Sequence, residues 1–107
     1  MTETAVIGLG RSGVAATRLL RSRNVAVYAS DAGAGESVSR MAAELEAIGA
    51  AVDVGGHNLA RIARASEAIL SPGVPPEAPP VRAAREAGVP VRAEIDLGLE
   101  ALPDTPY

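Results

Sequence analysis

Three glycines, Gly8, Gly10 and Gly13, stand in the order G-x-G-x-x-G within VIGLGRSG, and the chemistry that this spacing serves is the cradling of a phosphate. Gly8 allows a tight turn, Gly10 lets backbone approach phosphate, and Gly13 lets a helix pack closely on the strand before it. The helix start then presents free N–H groups to an anion. Asp31 falls about where a dinucleotide fold places the carboxylate that takes ribose hydroxyls. The spacing alone does not separate a nicotinamide nucleotide from another sugar-linked nucleotide. The remaining polar residues offer less. His57, in GGHN, is one imidazole with no carboxylate or Cys at a recognisable spacing, and is read as structural. Glu94 and Asp96 are two apart on an expected helix and point different ways, so no paired-carboxylate site is expected. Glu94 there favours the helix dipole. No catalytic residue and no metal site is assigned.

The elements that position these residues alternate in type. Ala5 to Ile7 is a short apolar run ending in glycine, and Ala15, Ala16, Leu19 and Leu20 recur at helical spacing as far as Asn24. Residues 25–30 (VAVYAS) predict a second strand closed by Asp31. Val38, Met41, Ala42, Leu45 and Ile48 predict a second helix, stopped by Gly49. Residues 51–54 predict strand three, Asn58 the N-cap of a short helix over 59–65, and residues 68–70 strand four. After SPGVPPEAPP come a helix over 81–87 stopped by Gly88, a fifth strand over 89–92, and a last helix carrying Ile95, Leu99 and Leu102 on one face. This rhythm implies an α/β fold, a Rossmann-like doubly wound parallel sheet of about five strands in a single domain, with helices on both faces. In such a sheet strands one and four are neighbours at the switch point. Residues 10–13 and Ser71, Pro72 and Gly73 then form the two walls of a crevice. A stiff proline turn without a ligand is the alternative for that second wall.

Composition narrows the classes further. At 107 residues there is room for one core, and with 48% apolar but only 2% aromatic residues it must be built from Ala, Val, Leu and Ile. A net charge of −3, with ten basic residues that are all arginine, argues against a nucleic-acid binder needing a broad basic face. No Cys is present, so there is neither a disulfide framework nor a thiolate nucleophile. No apolar run approaches the roughly 18 residues of a membrane helix, and no basic segment precedes an apolar one at the N-terminus. A cytoplasmic protein with no membrane partner is expected. The chain ends at PDTPY directly after its last expected helix, so further domains are expected beyond it.

VIGLGRSG, Asp31, GGH, ILSPGVPP and AGVPVRAEIDL together resemble the N-terminal domain of the UDP-N-acetylmuramoyl-alanine:D-glutamate ligases of the Mur ligase family, over almost the whole chain. The most specific parts are SPGVP and the GVPV-x-x-EIDL end. The resemblance implies that residues 1–107 are the UDP-binding domain of a three-domain enzyme, whose central ATPase domain and C-terminal amino-acid-binding domain lie outside this chain. The ligase class activates a substrate carboxylate as an acyl phosphate, which the amine of D-glutamate then attacks. UDP-N-acetylmuramoyl-L-alanine is the implied ligand, with ATP and Mg needed by the full-length enzyme but no cofactor held here. Matching positions give Arg11 and Ser12 to the pyrophosphate through backbone N–H and hydroxyl, and Asp31 to uridine, with Gly73 on the opposite wall. The sequence departs from the pattern at Ala32 and Gly33, where relatives often carry a hydroxyl and a basic residue; Arg11 is the charge available there. No G-x-x-G-K-[ST] and no Lys occurs, so the isolated chain is expected to be inactive in ATP chemistry. Two alternatives share the glycine motif: a nucleotide-sensing regulatory domain gating potassium transport, binding NAD or ATP as a dimer, and the cofactor half of a dehydrogenase.

Overall fold

The computed structural model describes residues 2–93. The expected last helix, with Glu94, Ile95, Asp96, Leu99 and Leu102, lies outside the described residues. Five strands and four helices alternate: β1 (Thr4–Ile7), α1 (Arg11–Ser22), β2 (Val27–Asp31), α2 (Glu36–Ala47), β3 (Ala51–Val54), α3 (Leu59–Ala63), β4 (Glu67–Leu70), α4 (Pro79–Glu86) and β5 (Val91–Ala93). The sheet order is β3-β2-β1-β4-β5 and every pairing is parallel. The expected neighbours β1 and β4 pair in register, Ile7 opposite Leu70.

The period of two along the central strands decides which face each helix covers. Val6, Val27, Ala29 and Ile69 point to one side and pack with Ala16 and Leu20 of α1 and Leu45 of α2. Ala5, Ile7, Tyr28 and Ala68 point to the other and pack with Ile62 of α3 and Val81 and Ala84 of α4. Side chains this small let the helices lie close to the sheet, as the scarcity of aromatics implied. The helix ends follow local chemistry. Asn58 Oδ1 accepts the Arg61 N–H at 3.0 Å and caps α3, and Gly49 and Gly88, at φ +98° and +78°, follow the last turns of α2 and α4.

Boundaries shift where backbone bonding outweighs side-chain pattern. Helix α1 begins at Arg11, not after Gly13, because Val14 N–H already bonds the Gly10 carbonyl at 3.0 Å. β2 begins at Val27 and runs through Asp31, since Val25 N–H bonds back to Leu20 O and continues the turn. α4 begins at Pro79, two residues before the apolar pattern, because prolines at its first two positions lack only N–H groups that a helix start leaves unbonded.

Candidate functional site

The carboxyl ends of β1, β2 and β4 open onto one crevice of about 700 Å³, within the size range of small-molecule sites. Its first side is the glycine loop. Gly8 sits at φ +98°, its N–H bonds to Ser30 O at 2.8 Å, and a Cβ there would stand 2.9 Å from Val74 Cγ2 and 3.0 Å from Ser71 Cβ. Gly10 is the N-cap of α1 with no side-chain cap. The N–H groups of Arg11, Ser12 and Gly13 precede the first helical bond, so the start of α1 faces the crevice with donors and a positive dipole end.

Ser71 makes the second side and ties it to the first. Its N–H bonds to Ile7 O at 3.1 Å, and its buried hydroxyl donates to Gly8 O at 3.0 Å. Pro72, Gly73, Val74 and Pro75 then turn away, and Ala78, Pro79 and Pro80 complete an apolar wall. Asp31, Ala32 and His57 form the third side. The Asp31 carboxylate is engaged at both oxygens by backbone: Oδ2 accepts the Leu9 N–H at 2.6 Å and Oδ1 the Gly33 N–H at 2.7 Å. It therefore fixes the glycine loop against the end of β2 while still bordering the crevice.

Nine of the ten expected site residues line this space: Gly8, Gly10, Arg11, Ser12, Asp31, Ala32, Ser71, Pro72 and Gly73. Gly13 lies beneath it. A Cβ at Gly13 would collide with the Gly8 carbonyl oxygen and come within 3.0 Å of Ser71 Oγ, so this glycine is the point where α1 crosses the β1 loop. His57, read from the sequence as structural, has Nδ1 2.6 Å from Ser30 Oγ and also lines the crevice. Burial pushes its pKa below the ordinary histidine value, against the opposing pull of Asp31. Sequence reasoning missed the crevice position of His57 and the wall over Ala78, Pro79 and Pro80. The proline run was the available signal for the wall. Among the described residues no group of three or more His, Cys, Asp or Glu could hold a metal ion, and no helix there is long and apolar enough to cross a membrane.

A five-stranded parallel sheet with its glycine turn and a crevice at the switch point is a Rossmann-like α/β domain. The sequence places it more narrowly: residues 2–93 match the family model described as Mur ligase MurD-like, N-terminal domain, and the chain belongs to that family. It is 38% identical over 100 residues to the UDP-N-acetylmuramoylalanine--D-glutamate ligase of Acidobacterium capsulatum, covering 94% of this chain and 22% of that protein. It is 42% identical over 102 residues to the ligase of the same name from Rubrobacter xylanophilus, covering 95% and 22%. The chain thus spans under a quarter of the length of these relatives. The crystal structure of the UDP-N-acetylmuramate:L-alanyl-gamma-D-glutamyl-meso-diaminopimelate ligase from Neisseria meningitides superposes with a TM-score of 0.75 at 20% identity, over 94% of this chain and 31% of that one, a likeness of fold.

Proposed function

We propose that the crevice holds the uridine diphosphate of UDP-N-acetylmuramoyl-L-alanine, within a ligase that adds D-glutamate to that substrate in peptidoglycan assembly. The observation that carries this reading is the meeting of two loops, residues 8–12 and 71–75, around the bare N-terminus of α1, in a chain of this family. The diphosphate lies at the start of α1, where N–H groups and the Arg11 side chain meet its charge. The small residues Gly10 and Gly73 leave the space it needs; a Cβ at either would touch nothing. Apolar contact with Val74 and the prolines suits the flat face of a base.

The residues present do not fit ATP and Mg. The chain has no lysine, and no carboxylate cluster stands among its described residues, so phosphoryl transfer belongs to domains outside it. What this chain supplies is binding and orientation of the nucleotide end of the substrate. Titrating the labelled chain with UDP-N-acetylmuramoyl-L-alanine, UDP and NAD, followed by amide NMR, tests the reading. The uridine ligands shift residues 8–13, 31–33 and 71–74, and NAD does not. Larger shifts with NAD would replace a Mur ligase ligand by a dinucleotide.

A further inference from the structure

His57 stands at the crevice with one ring nitrogen engaged and the other not. Among the described residues its single side-chain hydrogen bond is from Nδ1 to Ser30 Oγ, at 2.6 Å. A second set of hydrogen bonds holds the turn behind the ring. Tyr28 Oη donates to Asp53 Oδ2 at 2.7 Å and accepts the Asn58 N–H at 2.8 Å. Ser30 Oγ can accept from His57, and in that arrangement the neutral ring carries its hydrogen on Nδ1. Nε2 is left as an acceptor. Backbone fixes the ring's location as well: Gly55 N–H bonds Gly33 O at 2.7 Å and Gly56 N–H bonds Asp31 O at 3.2 Å, which sews the GGH turn to the end of β2.

We propose that His57 is a ligand-binding residue of this crevice, its ring hydrogen on Nδ1 directed at the positioning residue Ser30 and its Nε2 accepting a hydrogen bond from an N–H or O–H of the nucleoside half of the ligand. The inference rests on the uridine diphosphate reading above. The nucleoside half is indicated by charge: the donors for an anion lie at the start of α1, whereas His57 borders the crevice beside the Asp31 carboxylate. The charge acting on the ring is Asp31 of β2; Arg11 also lines the crevice, and Asp53 of β3 accepts from Tyr28. The depressed pKa keeps the ring neutral near pH 7, the state that an acceptor needs.

Protonation turns Nε2 from acceptor to donor, so ligand and proton compete, and each weakens binding of the other by the same factor. His57 is the chain's only histidine, and its ring proton resonances report on it alone. The test is an NMR pH titration of the whole 107-residue chain with and without saturating UDP-N-acetylmuramoyl-L-alanine, whose diphosphate does not titrate near neutrality. The midpoint of the His57 titration falls by about one pH unit with ligand. Equally, Kd rises about tenfold as the ring becomes charged. His57→Gln, which keeps an acceptor that cannot titrate, binds within a few-fold of the parent at pH 7 and loses the pH dependence. His57→Leu binds about tenfold more weakly. A midpoint that is unmoved or rises while amides 8–13 shift normally overturns the inference and leaves the uridine diphosphate reading intact. Absence of any ligand-induced shift overturns both.

Discussion

Gly10 and Gly13 belong to one motif but serve separate ends, and substitution separates them. A side chain at Gly10 meets no protein atom, so Gly10→Val keeps the fold and obstructs the space at the start of α1. On the proposed uridine diphosphate reading, UDP binding is expected to be lost while thermal unfolding stays about the same as the parent's. At Gly13 the same change strikes the Gly8 carbonyl, which is backbone and cannot turn aside. Gly13→Val therefore costs about 3 kcal/mol, the upper end of overpacking penalties, measured by denaturant unfolding. Asp31→Ala removes a charged acceptor from the Leu9 and Gly33 amides, one of them part-buried. The expected loss is about 2 kcal/mol, with broadened amide resonances through the glycine loop. The glycine spacing made the turn and the close helix crossing legible in sequence. The hydrogen bonds of Asp31 were not, because an acidic residue after the second strand reads the same whether its carboxylate faces a ribose or its own backbone.

At the scale of elements, an ion pair adds to the apolar packing between β1 and α3. Glu3, just before β1, accepts from Arg61 Nε at 2.8 Å and Nη2 at 2.7 Å, and the same guanidinium lies 4.8 Å from the Tyr28 ring centroid. The Arg61 hydrogen bond holds the Glu3 pKa below its ordinary value of 4.5, outweighing partial burial. A depressed carboxylate pKa contributes stability that is fully present above 4.5 and lost as pH falls through the lower folded value. Glu3→Gln is expected to cost about 1 kcal/mol or less at pH 7, since both side chains are partly solvated. Its stability is also expected to fall less steeply than the parent's on acidification below 4.5, as read by urea unfolding across pH. Element types and order were readable because strands and helices each kept one period along the chain. Element ends were not, since Arg11 and Pro79 start their helices through backbone bonding and a missing N–H, to which an apolar pattern is blind.

For the molecule as a whole, the crevice joins the ends of three strands, so an occupant holds together parts of the chain far apart in sequence. A ligand that binds only the folded chain adds about 2.7 kcal/mol at 100 times its Kd. UDP-N-acetylmuramoyl-L-alanine at that excess is expected to raise the melting temperature by roughly 10 °C, in a calorimetric scan where NAD gives no rise. The pairing of β1 with β4, and hence the facing of the two loops, followed from the alternation of elements. The third side of the crevice did not: GGHN carries no sign of the bonds that draw it to Asp31, which exist only once β3 lies beside β2. The hydrogen bonds of Tyr28 to Asp53 and to the Asn58 N–H, next to His57, have an optical consequence. Tyr28 is the sole Phe, Tyr or Trp within residues 2–93, and it is almost wholly enclosed. The near-ultraviolet circular dichroism of the described fold therefore arises from a single chromophore wired to the crevice. Filling the crevice and melting the core are expected to change the Tyr28 signal in different ways, read after the contributions of Tyr107 and of the uridine ligand are subtracted.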